Sequence, residues 1–258
     1  NLSPDFIECI VFWTKNAVPF MDYLEELNRM GYMYMFQYTI TPYDNTLEKN
    51  ISDKSDIIKN VLELSEKIEK KRIVWRYDPI LLNDTYTVNR HIELFEEMCS
   101  LLYTAVNHVV ISFIDLYQKN RGYRLYELST DEITHLAQAF GEIGAKYKLP
   151  IKTCCENYDL TKFGITKGAC IDSVLLEEIC NRPLLLKKAT GQRKNCLCAE
   201  SVDIGAYHTC LNGCIYCYAT DYKRLKTKQK CYDKNSQILC DKLDFGKDII
   251  KVRKMKKL

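Results

Sequence analysis

The run Arg72-Ile-Val-Trp-Arg-Tyr77 reads as a buried β-strand, because β-branched and aromatic residues fill it and Asp78-Pro79 stops it. His91 to Leu102 follows with helical character, and His108-Val-Val-Ile-Ser-Phe-Ile-Asp-Leu116 is the next strand. A strand, a helix and a second strand in that order imply a right-handed parallel βαβ unit. The same alternation extends toward the N-terminus. Glu8 to Trp13 (ECIVFW) is a strand, and Asn16 caps a helix with Pro19 in its first turn that stops at Gly31. Tyr32 to Ile40 is another strand, and Ser52 to Lys70 carries Ile57, Ile58, Val61, Leu62, Leu64 and Ile68 on one helical stripe. Toward the C-terminus, Ser129 to Lys148 is a helix in which Ser129 and Glu132 form a capping box. Ile151 to Cys155 reads as a strand, Asp172 to Cys180 as a short helix, and Ser201 to Tyr207 (SVDIGAY) as a last strand. About six such units predict an α/β fold, a TIM-like barrel or part of one. The barrel-like region is expected over 1–205, with the cysteine loop and a basic tail over 206–258 as part of the same domain.

Composition narrows the function classes. Hydrophobic residues make up 47% of the 258-residue chain, enough for a sizeable core. A net charge of +3 is too small to argue for nucleic acid or an anionic membrane. No apolar run reaches the ~20 residues that span a bilayer, and no secretory signal pattern opens the chain. The first residue is Asn1 rather than Met, as expected of a processed or truncated N-terminus. Thirteen cysteines are present, and all but Cys9 and Cys99 lie from Cys154 onward, after an ordinary α/β half. That asymmetry favours metal binding over a disulfide framework. Thiolate–iron chemistry needs a reducing compartment, so the expected location is the cytoplasm.

Cys210-Leu-Asn-Gly-Cys214-Ile-Tyr-Cys217 is the sharpest feature. Three thiolates at C-x3-C-x2-C spacing are soft ligands for an iron–sulfur cluster, zinc or Cu(I). Gly213 lets a short loop wrap them round one centre. Three cysteines on a four-iron cubane leave one iron open to substrate or cofactor. The competing arrangement is a closed zinc site completed by His208 or Cys231.

With an aromatic residue before its third cysteine, this loop resembles the radical S-adenosylmethionine (SAM) signature. The resemblance implies a [4Fe–4S] cluster on Cys210, Cys214 and Cys217 whose open iron chelates SAM. It also implies reductive cleavage of SAM to a 5′-deoxyadenosyl radical, a ferredoxin or flavodoxin as electron donor, and Tyr216 near the adenine. VFWTKN at Val11 to Asn16, WRYDPI at Trp75 to Ile80, CID at Cys170 to Asp172, DIGAYHTC and CIYCYA are similar to an uncharacterised bacterial family, a domain of unknown function. That family has a radical-SAM-like cluster near its C-terminus and names no substrate. Its opening strand carries a Ser-Arg-Arg-Thr-Asp stretch that this sequence lacks. Radical SAM enzymes usually carry the loop after their first strand, whereas here it follows the last. A circular permutation with SVDIGAY presenting the cluster would reconcile the two orders.

Other residues join the candidate list. Cys155, Cys170, Cys196 and Cys198 lie near strand ends that converge on one barrel face, where they could hold a second iron–sulfur cluster. Cys154 reads as a small buried residue, and Cys9, Cys99 and Cys180 read as core. Catalytic groups on parallel barrels come from the C-terminal ends of strands. Those ends offer Thr14, Lys15 and Asn16; Gln37 and Thr39; Arg76 and Asp78; Asp115; and Glu156. Of these, Lys15, Arg76, Asp78 and Glu156 are the candidates for binding SAM and substrate, with Lys15 or Arg76 pairing a carboxylate. The expected activity is radical modification of an unidentified substrate. The alternatives are a non-catalytic zinc or iron–sulfur module and an electron-transfer protein with a fully ligated cluster.

Overall fold

The computed structural model describes residues 2–117, 120, 122–233, 235–236 and 238–249. The described residues within 1–43 and 52–201 form one compact unit, and those within 44–51 and 202–258 form a second.

The first unit is built on one six-stranded, all-parallel sheet whose strands follow sequence order. The strands are β1 (Ile10–Thr14), β2 (Tyr34–Thr39), β3 (Ile73–Ile80), β4 (His108–Phe113), β5 (Ile151–Cys154) and β6 (Ile165–Gly168). The helices are α1 (Leu24–Arg29), α2 (Lys54–Ile68), α3 (Val88–Leu102), α4 (Thr130–Tyr147) and α5 (Ser173–Cys180). Sequential parallel pairing of this kind is an α/β fold consistent with a partial TIM-like barrel.

Strand parity separates two faces, because successive side chains alternate. Tyr34, Phe36 and Tyr38 on β2, Trp75 and Tyr77 on β3, and Ile111 on β4 share the face covered by α2, α3 and α4, and all are buried. Phe95 of α3 stacks on Phe140 of α4 at 3.8 Å and on Trp75 at 5.4 Å, closing an aromatic layer over β3. His91 of α3 bridges this layer, taking the Tyr77 hydroxyl at Nδ1 (2.8 Å) and giving its Nε2 proton to the Leu81 carbonyl (2.8 Å). Burial lowers its pKa to about 4, so it stays neutral. The opposite face carries Met35, Val74 and Val110, and α5 packs on them with Leu175, Leu176, Ile179 and Cys180. Further along the same parity, toward the C-terminal ends, stand Gln37, Arg76, Asp78, Ser112 and Cys154. That face is therefore apolar at one end and polar at the other.

Local chemistry explains the boundaries. The capping box at Ser129 and Glu132 is present, and Thr87 caps α3. Asp172 caps α5 by accepting from Val174 N at 3.1 Å while pairing with Lys152 of β5 at 2.9 Å. Cys99 and Cys180 are buried and Cys9 packs against the α5 cluster, as expected of core cysteines.

Several expectations are corrected. Ser201–Tyr207 is not a strand and lies outside the sheet, so the permutation built on it falls. Its alternating apolar residues have nothing to bury against: Val202 and Ile204 are 58% and 61% exposed, and Gly205 N turns back to Asp203 Oδ1 at 2.8 Å. The sixth strand is instead Ile165–Gly168, too short and too polar to announce itself. Its end fits closely against β5, where a Cβ on Gly168 would meet Lys152 Cβ at 2.7 Å. The helix expected after Asn16 begins as a 3-10 turn, Val18–Tyr23, and becomes α-helical at Leu24. Strand β3 continues through Asp78-Pro79 to Ile80, with a register shift against β4.

In the second unit the segment 44–51 pairs with the cysteine loop, and α6 (Tyr222–Lys230) follows, capped by Asp221. The Lys-rich tail is thus helical at its start, and its last residues, 250–258, lie outside the described residues. Among the described residues no helix is long and apolar enough to cross a membrane.

Candidate functional site

In the second unit, the cysteine loop is pinned to the strip 47–50. Ile215 N donates to Leu47 O at 2.9 Å, Glu48 bridges Cys214, and Asn50 N donates to Asn212 O at 3.0 Å. Asn50 Nδ2 reaches Leu211 O at 2.6 Å. Gly213 adopts φ +72°, where a side chain is strained, and a Cβ there would meet Asn50 Nδ2 at 3.1 Å and Lys49 Cβ at 3.2 Å. Cys217 N closes a turn on Cys214 O at 3.2 Å. Within the loop Ile215 and Tyr216 are buried, and the Tyr216 hydroxyl donates to the buried Glu48 carboxylate. Cys210 is exposed, while Cys214 and Cys217 are half-buried. His208 accepts from Asp221 N through Nδ1 at 2.9 Å, which leaves only Nε2 as a possible metal ligand, and Cys231 caps the end of α6.

In the first unit, the C-terminal strand ends gather a polar and thiol-rich group. Arg76 donates from Nε to Asp78 Oδ2 at 3.0 Å and from Nη1 to Gln37 Oε1 at 3.3 Å and Cys170 Sγ at 3.1 Å. Asp78 also accepts from the Ser112 hydroxyl, and the Lys15 charge acts on it. Burial works against the Asp78 carboxylate, but the Arg76 charge holds its pKa below the ordinary value. Glu156 accepts from Phe113 N at 3.0 Å, and burial pushes its pKa up to about 7. Arg193 pairs with Asp115 at 3.0 Å.

Around Arg76 stand the cysteines. Cys154 Sγ lies 2.8 Å from Cys170 Sγ, and Cys170 N donates to Cys198 Sγ at 3.2 Å. The hydrogen bonds with Cys170 lower the pKa of Cys154 and Cys198, and the same bonds raise that of Cys170. Cys155 takes a positive φ of 59° at the strand end and, with Cys196, stands close enough to feel the charge on Cys198. Among the described residues, no three His, Cys, Asp or Glu side chains are arranged to hold a metal ion.

Sequence reasoning thus named Lys15, Arg76, Asp78 and Glu156 at strand ends, and the structure places all four on the first unit. Arg76 is committed to the chain's own Asp78 rather than open to an incoming carboxylate. Of the expected second-cluster set, Cys170 and Cys198 meet, with Cys154 rather than Cys155 in direct contact. Ser112 and Cys154 were missed, although their parity with Arg76 and Asp78 was available once the strands were aligned.

The family described as Domain of unknown function (DUF1848) matches residues 1–219. No curated protein matches the chain. A crystal structure of a candidate alpha-L-fucosidase from Bacteroides thetaiotaomicron VPI-5482 aligns at 14% identity with a TM-score of 0.26. That alignment covers 60% of this chain and 66% of the other, just under two thirds.

Proposed function

For this chain, which belongs to the family described as Domain of unknown function (DUF1848), we propose an iron–sulfur protein of the radical SAM type that reductively cleaves SAM to modify a substrate. The observation that carries the reading is the Cys210-x3-Cys214-x2-Cys217 loop, three soft donors within eight residues on a backbone fixed by Leu47, Glu48 and Asn50. The donor set fits a cubane with one iron open, and Cys210, Cys214 and Cys217 are its assigned ligands. When bound, such a cluster supplies a low-potential electron and a vacant iron for the amino and carboxylate groups of SAM.

The chain's own residues do the rest. Tyr216 and Glu48 anchor the Cys214–Cys217 end of the loop, which supports a fixed placement of those two ligands. Gly213 permits the tight turn between Cys210 and Cys214. Within the first unit, the strand ends present Lys15 as a cation and Glu156 as a carboxyl with a raised pKa, while Asp78 keeps Arg76 in place. The electron donor is a ferredoxin or flavodoxin, and the compartment is the reducing cytoplasm.

The test is anaerobic reconstitution with iron and sulfide, then dithionite and SAM, with 5′-deoxyadenosine as the readout. The expected result is 5′-deoxyadenosine from the native chain and none above background from Cys214→Ser. A fully loaded cluster that yields none overturns the proposal, as does a purified loop holding zinc without iron or labile sulfide.

A further inference from the structure

The first unit carries a second group of sulfurs that the proposed function does not use. Cys154, Cys170 and Cys198 come from three places in the chain: the last residue of β5, the turn after β6, and the Cys196-x-Cys198 pair. Each backbone is tied down. Cys154 lies in register with Gly168, whose lack of a side chain lets β6 end close against β5. The Cys170 carbonyl accepts Gln37 Nε2 at 2.8 Å. The Cys198 carbonyl accepts Ala189 N at 2.9 Å, and Ala199 N donates to Ile171 O at 2.9 Å, which holds the Cys198 segment beside Cys170.

The sulfurs are also chemically dressed. Cys154 and Cys170 are 2.8 Å apart at Sγ, closer than unbonded sulfurs rest and longer than the ~2.05 Å of a disulfide. A main-chain N–H points at Cys198 Sγ and a guanidinium at Cys170 Sγ. N–H donors on sulfur stabilise thiolates, and the Arg76 charge offsets the negative charge that three thiolates bring. A disulfide would use two sulfurs and call for neither donor nor a third cysteine.

We propose that Cys154, Cys170 and Cys198 bind one thiophilic metal centre, with Cys155 or Cys196 as the nearest source of a fourth ligand and Arg76 as its charge-balancing neighbour. Cys154 Sγ now meets Cys170 Sγ and Cys198 Sγ takes the Cys170 N–H, so the three thiols are not yet arranged around one point. Tetrahedral ligation at ~2.3 Å metal–sulfur distance asks for sulfurs about 3.7 Å apart. Ligation therefore requires the Cys154 and Cys170 thiols to turn apart from their present 2.8 Å. Zinc and the iron of a cluster share this ligand chemistry, and the experiment separates them.

The full chain is prepared anaerobically with Cys210, Cys214 and Cys217 all replaced by serine, which removes the three thiolate donors of the loop in the second unit. The expected result is a retained metal, either about one equivalent of zinc or iron with matching labile sulfide, and its loss when Cys170→Ser is added. Cobalt titration of the triple-serine chain gives a second reading that needs no further variant: thiolate-to-cobalt charge transfer with tetrahedral d–d bands. A folded triple-serine chain that retains no metal and gives no such bands overturns the proposal. So does a Cys154–Cys170-linked peptide in a non-reducing digest. Failure of the native chain to form 5′-deoxyadenosine would strike the proposed function alone and leave this result standing.

Discussion

At the residue scale, two positions can be tested directly. Glu156 has its pKa raised from 4.5 to about 7, chiefly by burial. A carboxyl with a raised folded pKa binds its proton more tightly in the folded state, so folding stability falls as pH rises from about 4.5 to 7. Glu156→Gln keeps the acceptor for Phe113 N and removes that fall. Urea unfolding is expected to show the variant equal to the parent near pH 4.5 and more stable at pH 8. The difference accumulates at no more than about 1.4 kcal/mol per pH unit, less for a partly exposed group. Equal differences at both pH values would sink the assignment. Gly213→Ala puts a Cβ against Asn50 and Lys49 at a positive φ, a strain of about 1–2 kcal/mol. Lower iron content after reconstitution, with the helical circular dichroism signal unchanged, is the expected outcome. Glu156 could be picked from sequence as a strand-end carboxyl, but its environment could not, since burial is set by residues distant in the chain.

At the element scale, the helices were the most readable parts. Ser129 and Glu132 gave both the start of α4 and its mechanism, because a capping box is local chemistry. Ser129→Ala is expected to cost about 1 kcal/mol and lower the thermal midpoint by roughly 2–4 °C, measurable by calorimetry. An unchanged midpoint would mean that α4 is held by packing alone. Strands were harder to read. SVDIGAY has the alternation of a strand and no strand partner, whereas Ile165–Gly168 has almost no pattern but pairs with β5 at the edge of the sheet. Alternation reports only that one face wants burial, and pairing decides whether it finds any. The same holds for Cys154 and Cys155: adjacent residues point to opposite faces, and only the register says which one meets Cys170.

At the scale of the whole molecule, the chain carries two histidines buried in the neutral form. His91 and His108 are both lowered by burial from 6.5 to about 4. A group with a depressed folded pKa takes up its proton more readily when unfolded, so stability is lost as pH falls from 6.5 toward 4. Each contributes up to about 1.4 kcal/mol per pH unit in that window, and the urea midpoint at pH 4.5 is expected to lie well below that at pH 7. A midpoint unchanged between those values would refute the assignment. The sequence by itself determined the α/β class, the order of strands and helices through β5, and the three-cysteine loop. These rest on periodicity, capping and spacing, which act over a few residues. The tertiary structure alone decided the sixth strand, the exclusion of Ser201–Tyr207 from the sheet, and the meeting of Arg76, Asp78, Cys154, Cys170 and Cys198. Those depend on strand register and on contacts between residues as far apart as 76 and 170, and no local pattern encodes such contacts.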